Sequence, residues 1–463
     1  MRSRTLTVQE VDSATQTAED IFAWLMPILD EYEVTKRLFC VTTDNVAVNG
    51  AMFRLLKRRL PKVHSVKCLQ HTLHLAVEDA HHEAFDEKGD ADRTFLGRCR
   101  RTTGHYHQSV KGTRALKMKM QEFGLKPKKL QTDSVNRFHS SIRMFDTLYH
   151  NRHAIQLDWR ECPLTDLDWK MMPYLSAILA PVKRIAESLS SDREPNLADV
   201  LTSIEALRRS DVPKSDPIKR PLPLPMPSQV TKFHSALLAA IETRLVKYDD
   251  EEEQTTGIVY SPLAEAATFV DPRQRRFTGL DKDEKTREAI KARALQFVRH
   301  AIERERKSVL PAVPPPAPAE AAPVTAKKKK EEPKSVYARN KAAINPYARH
   351  SADGMDQVGL YANGLEVSDN EDVLTWWWTH RKEFSEMIPI VMSLLAVPPT
   401  TIPSERAFSK ATQIIDGAHN MRSNMDPERG RQLVMLYANI DLLTSAPLTA
   451  LVLPKRRLRA AQA

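Results

Sequence analysis

Two short polar stretches hold residues whose type and position suit chemistry. Thr43-Asp44-Asn45 closes the run Leu38 to Thr43, which is continuous in apolar and β-branched residues and reads as a buried strand. Ligands of α/β sheets collect at the carboxyl ends of strands, so Asp44 stands where a reacting group would be held. Asp44 is equally placed to cap the helix predicted after it, and the segment alone favours that reading. Near the other end, Pro398-Pro-Thr-Thr-Ile-Pro-Ser-Glu-Arg-Ala-Phe-Ser409 breaks one helical pattern and starts another. Thr401 or Ser404 supplies a cap, and Glu405 falls in the first turn, where a carboxylate complements the helix dipole.

Other residue sets carry weaker signals. Cys68 and His71 are three apart, with His64 and His74 close by, a spacing that suits zinc. No second Cys or His pair follows at finger spacing, so no zinc is expected in this chain. Arg98 to Lys129 is dense in Arg, Lys and His, which fits either a phosphate-facing surface or a solvated basic face. In Asp133-Ser-Val-Asn-Arg137-Phe138-His-Ser-Ser141, Phe138 offers a ring to an extruded base and Arg137 a guanidinium to a phosphate; a lone Phe is more often core.

The elements that must position these residues follow from periodicity. Ile21, Trp24, Leu25, Ile28, Leu29 and Tyr32 predict a helix over 19–33, and a second helix runs from the Asp44 turn to about Leu60. A short strand over Val63 to Val66 leads into a helix whose stripe is Leu69, Leu73, Ala76 and Ala80. Helices are predicted over 169–207, 233–248 and 284–306, with Ala264 to Phe277 completing an all-α region. Proline, alanine and lysine dominate from Pro311 to about Gly364, which reads as a disordered linker with a basic run at Lys327 to Lys330. After the tryptophan run at 376–378, Phe384, Met387, Ile388, Val391, Leu394 and Leu395 trace an apolar face. Asp426-Pro427 starts a last helix, with Leu433, Leu436, Tyr437, Ile440 and Leu443 on its stripe.

The chain has 463 residues, 41% of them apolar, enough for two or three domains. Four scattered cysteines, the absence of a long apolar run and an N-terminus without an apolar signal core lead to the expectation of a reduced, intracellular, soluble protein. The formal charge of +10 favours a polyanionic partner, nucleic acid first.

Taken in order, Thr43-Asp44-Asn45, Cys68-x-x-His71, Asn136-Arg137-Phe138-His139-Ser140, Asp271-Pro272-Arg273, the tryptophan run, Ser404 to Ser409 and the Leu433 to Leu443 stripe resemble the landmarks of the hAT transposase superfamily. The resemblance implies α/β plus all-α architecture: a ribonuclease-H-like core, incomplete here, interrupted by a long helical insertion, and a C-terminal helical dimerisation region. The implied boundaries are 1–160 for the partial core, 161–310 for the insertion, 311–370 for the disordered segment, 371–445 for the dimerisation region with the last core helix, and 446–463 for a basic tail. It implies a DDE-type two-metal site in which Asp44 and Glu405 hold Mg²⁺ as second and third carboxylates. It also assigns DNA contacts to Arg137, Phe138 and His71, with Cys68 and Asn45 as motif support, and dimer contacts to Trp377, Phe408, Leu433, Leu436, Tyr437 and Ile440. Phe138 stands where the family has a tryptophan.

The family's first carboxylate lies on a strand upstream of the first helix, and this chain has no room for it; Asp12, Asp20 and Asp30 are poor substitutes. The family's zinc-finger domain is not found either. The expectation is a nuclear homodimer or higher oligomer that binds DNA, with strand-transfer chemistry impaired, no membrane partner and no small-molecule substrate. The alternative is an active Mg²⁺-dependent transposase represented by a truncated gene model.

Overall fold

The computed structural model describes residues 17–85, 94–133, 138–191, 197–215, 221–246, 258–280, 282–309, 356–415, 432–435 and 439. They are mostly helical and divide into two compact units, one built from 1–196, 211–256 and 398–463, the other from 197–210 and 257–397.

The first unit starts with α1 (Ala18–Glu31), closed by a capping box. The Thr17 hydroxyl accepts from the Asp20 amide at 3.2 Å, and the Asp20 carboxylate accepts from the Thr17 amide at 3.1 Å. A βαβ unit follows: β1 (Cys40–Thr43), α2 (Ala47–Arg59) and β2 (His64–Lys67). The strands pair in parallel from Cys40 opposite His64 to Thr43 opposite Lys67, the one sheet among the described residues. Ala18, Met52, Leu56 and Val63 are buried as a cluster, against which Phe22, Leu25 and Val41 pack. Full burial of Met52, Leu56 and Val63 contributes about 1.5–3 kcal/mol each, which fastens α1 and α2 to the strands.

The predicted stripe on α3 (Leu69–Phe85) is fully buried at Leu69, Leu73, Ala76 and Ala80. It packs on α9 (Ser228–Ile241), which continues into a π-helical turn over Glu242–Val246. Between them come α4 (Phe95–Gln108), α5 (Val110–Glu122), α6 (Phe138–Asp158) and α7 (Asp166–Ser188), the last opened by a Thr165/Asp168 capping box. The single helix predicted over 169–207 is two. α7 stops at Ser188, where the Ser190 and Ser191 amides bond carbonyls of the helix's own last turn. The second piece, α8 (Val200–Arg208), belongs to the other unit.

That second unit forms around α10 (Pro262–Val270), in which every residue from Leu263 to Val270 is buried. A helix buried all round must be covered on all sides, and α8, α11 (Glu284–Val309) and α14 (Ile388–Leu395) pack on it. α12 (Gln357–Ala362) and α13 (Val373–His380) complete the unit. Residues 357–362, within the stretch expected to be disordered as far as 364 or 370, form a helix instead. Val358, Tyr361 and Ala362 are buried on one face of α12, an apolar pattern too short to register against the proline-rich stretch before it.

His81 is 4% exposed between the rings of Phe85 and Phe233, at 5.5 and 4.9 Å. Burial, aided by nearby Arg100, pushes its pKa down to about 3. In the unfolded chain a histidine titrates near 6.5, so between about pH 3 and 6.5 the unfolded state binds more protons and stability falls as pH falls. His81→Leu is expected to reduce that acid slope by up to about 1.4 kcal/mol per pH unit in denaturant unfolding measured from pH 4 to 7; an unchanged slope would mean His81 is solvated.

Candidate functional site

β1 and β2 end level, and the next residue of each strand turns into the same region. The Cys68 amide donates to the Thr43 carbonyl at 2.6 Å, which places Asp44 and Cys68 side by side at the carboxyl end of the sheet. The stretch Pro398 to Thr401 lies across that end. The Thr42 hydroxyl donates to the Pro398 carbonyl at 2.7 Å and the Leu69 amide to the Pro399 carbonyl at 2.9 Å. The Thr401 amide and hydroxyl both donate to the Cys68 sulfur at 3.3 Å. The two prolines have no N–H to satisfy, and their carbonyls accept from the Thr42 hydroxyl and from the first amide of α3, a donor with no acceptor in its own helix.

α15 (Ile402–Ile415) begins directly after Thr401, with Glu405 in its first turn as predicted. The Glu405 amide bonds the Thr401 carbonyl at 3.1 Å, and the Thr401 hydroxyl approaches Glu405 Oε1 at 3.5 Å. Asp44 and Glu405, far apart in sequence, thus belong to one sheet end, linked through Cys68 and Thr401. Asp44 does not cap α2, whose N-cap is Val46; its carboxylate instead accepts from the Asn49 amide group. Asn45 donates to the Thr72 hydroxyl at 2.8 Å, and Thr72 in turn to the Cys68 carbonyl at 2.9 Å, so Asn45 braces the start of α3. His71 is half-buried on that helix.

Among the described residues no three His, Cys, Asp or Glu side chains converge as a metal-ion group. The two carboxylates at this sheet end therefore do not by themselves complete the three-carboxylate donor set that the resemblance implies for Mg²⁺. Cys68, the residue that suggested zinc, has its sulfur turned to Thr401.

Other expectations are corrected. Phe138 is 3% exposed, its ring packed edge-on against His139 at 4.2 Å, so as placed it belongs to the core and offers no face to a base. Arg137 lies outside the described residues. In the basic stretch, Arg98 forms a two-point pair with Asp168 (2.8 and 2.6 Å) and Arg100 with Asp133 (2.9 and 3.0 Å). Those guanidiniums are spent inside the fold. The cations that remain at the surface are Arg101, Lys111, Arg114, Lys117, Lys126, Lys128 and Lys129, on α4, α5 and the chain after it.

Trp377 is also a core residue. It is fully buried, and its indole donates to the Val270 carbonyl at 2.9 Å, so it cannot meet a partner. The tryptophan that reaches the surface is its neighbour Trp378, 67% exposed, with the Arg381 guanidinium 4.1 Å over its ring. Three adjacent tryptophans on a helix point three ways, and sequence cannot say which is inward. Phe408 and Leu433 are exposed at 59% and 38%; Leu436, Tyr437 and Ile440 lie outside the described residues. No helix among the described residues is long and apolar enough to cross a membrane.

Residues 359–440 match the hAT family C-terminal dimerisation region. The chain thus carries a hAT-type dimerisation region. A similar protein is the human zinc finger BED domain-containing protein 4, 21% identical to this chain over 390 residues. That alignment covers 82% of this chain and 29% of the relative, so the chain spans under a third of that protein's length. The match begins in α12 and takes in Glu405 and Leu433, so the family's dimerisation region includes the segment that crosses the sheet end.

The Trp377 and Trp378 placements are separable by experiment. Trp377→Ala is expected to cost about 3–5 kcal/mol of stability as a cavity in the core. Trp378→Ala should cost under about 1 kcal/mol, the worth of an exposed cation–π contact. Denaturant unfolding measures both, and equal losses would contradict the assignment.

Proposed function

We propose that this hAT-derived chain works as a nuclear, DNA-binding homodimer, or higher oligomer, and that its sheet end is an inherited ribonuclease-H-like active site whose strand-transfer chemistry is impaired. The observation that carries the reading is the docking of the Pro398–Thr401 crossing, which leads into Glu405, on the sheet end that follows Asp44's strand. A crossing segment that returns a late glutamate to the carboxyl end of a parallel βαβ unit is what an interrupted catalytic core requires.

Asp44 and Glu405 would be the Mg²⁺ ligands of such a site, the metal's part being to activate the attacking oxygen and steady the leaving one at a phosphodiester. The described residues supply two carboxylates to this end of the sheet, and removing one member of a set that acts as a unit removes most of its activity. DNA binding is supported by the formal charge of +10 and by the surface cations of α4 and α5. The partner chain is supported by the match to a dimerisation region.

Sedimentation at micromolar concentration is expected to give a dimer or larger species; a monomer would count against the interface. DNA affinity should fall steeply with salt, since neutralised phosphates release counterions. In a strand-cleavage assay with Mg²⁺ the protein should leave DNA intact. Cleavage that disappears in Asp44→Ala or Glu405→Ala would restore the active-transposase reading.

A further inference from the structure

α4 and α5 form a hairpin at Ser109, which caps α5 by accepting from the Gly112 amide at 2.9 Å. The Thr113 hydroxyl donates to the Tyr106 carbonyl at 2.6 Å and locks the two helices together. The chain after α5 then returns alongside them, pinned at alternate carbonyls. His150 bonds the Lys126 carbonyl at 3.2 Å, Asn151 the Lys128 carbonyl at 3.2 Å, and His107 the Leu130 carbonyl at 2.8 Å. The Arg100–Asp133 pair anchors the far end. Between hairpin and return lies a cavity of about 290 Å³.

The cavity has two chemistries. Its floor is apolar: Tyr106, Leu116, Met120 and Leu130 line it, each 5% exposed or less. The Tyr106 hydroxyl is taken by Asp158 at 3.1 Å, so the phenol's polar end is already satisfied. Its rim is cationic: Lys117, Lys128 and Lys129 line it and are exposed, and none is in an ion pair with another described residue. Lys119, in contrast, is spent on Glu122 at 2.9 Å. Arg101, Lys111, Arg114 and Lys126 extend the same basic surface past the rim.

We propose that this cavity takes one unpaired nucleotide of a DNA strand, its base on the apolar floor and its flanking phosphates on Lys117, Lys128 and Lys129. The inference rests on the DNA-binding reading above and deepens it. A cationic rim alone suits any phosphate; the floor adds a demand for a flat apolar body attached to the anion, which a nucleotide in an open strand meets. In a duplex the bases are stacked away and only the phosphates reach the lysines, so base entry first costs unstacking and unpairing. The floor's polar groups are already bonded, so the pocket has no means of telling one base from another. Preference is therefore for open strand over duplex and not for sequence.

The test uses the full chain, a fluorescent oligothymidine strand, a duplex of equal length, and thymidine monophosphate as competitor. The expected result is single-strand binding at least about tenfold tighter than duplex binding. Thr113→Trp, which fills the cavity from its rim, should bring the single strand down to the duplex level and leave duplex affinity unchanged. The double variant Lys128→Glu, Lys129→Glu should weaken both and flatten the salt dependence by about two charges. Because Thr113→Trp could disturb the hairpin, an independent readout accompanies it: a strand carrying 5-iodouracil should photo-crosslink to the peptide spanning 106–130 in the unmodified protein.

Equal affinity for strand and duplex together with crosslinks elsewhere would overturn the pocket while leaving DNA binding in place. Full competition by millimolar monophosphate would overturn the strand and reassign the site to a free nucleotide. Binding to phosphatidylserine vesicles in preference to the strand would overturn it in favour of an anionic surface. No DNA binding even at low salt would instead remove the proposed function itself.

Discussion

Everything at the candidate site depends on a few hydrogen bonds made by the Pro398–Thr401 crossing. Thr42 is 356 positions from Pro398 and Cys68 is 333 from Thr401, so the contacts close very long loops. Closure entropy grows only slowly with loop length, but these bonds still need rigid partners on both sides. The sheet end supplies one side, with two strands in register and α3 starting at once. The prolines supply the other, since their restricted φ limits the states the crossing must lose. Cys68 is the hinge of the arrangement: its amide holds β1, its carbonyl holds Thr72, and its buried sulfur receives Thr401. A larger or charged side chain there would separate the crossing from the sheet.

The second unit is organised by a different constraint, the wrapping of α10. Trp377 closes the buried C-terminal end of that helix, its indole N–H donating to the Val270 carbonyl. Tyr361, Trp376 and Phe384 surround Trp377 at centroid distances of 5.0 to 5.9 Å, and the Arg275 guanidinium, only 2% exposed, lies over Tyr361 at 4.9 Å. Aromatic faces and the Tyr361 carbonyl stand in for a carboxylate partner. The dimerisation region is thus partly a core: its first two helices bury their aromatics inside this unit and leave Trp378 outside.

Much of this was legible from residue spacing. The βαβ unit, the buried stripe of α3 and the first-turn position of Glu405 all follow from local rules of periodicity and capping, and local rules suffice where one element decides its own outcome. What was not legible is what depends on partners distant in sequence. Arg98 and Arg100 look like any surface cations until Asp168 and Asp133 are folded against them, and Trp377 and Trp378 are indistinguishable until Val270 is found. The cavity beside α5 left no motif at all, because its floor comes from three separate segments whose apolar residues are ordinary. Asp44 is the intermediate case: its place at the strand end was predictable, but its partner Asn49, rather than a capping role, was not.

The central claim is that Pro398–Thr401 is docked on the sheet end, and the Leu69 amide reports it most directly. As the first residue of α3, Leu69 has no acceptor within its own helix and would exchange its proton rapidly unless something outside the helix held it. Its acceptor is the Pro399 carbonyl. Residue-resolved hydrogen exchange on the full chain should find the Leu69 amide protected, and protection should vanish when the crossing is loosened by Thr401→Gly. A Leu69 amide that exchanges at the rate of an unstructured chain would contradict the docking, and with it the placement of Glu405 at the sheet end that bears Asp44.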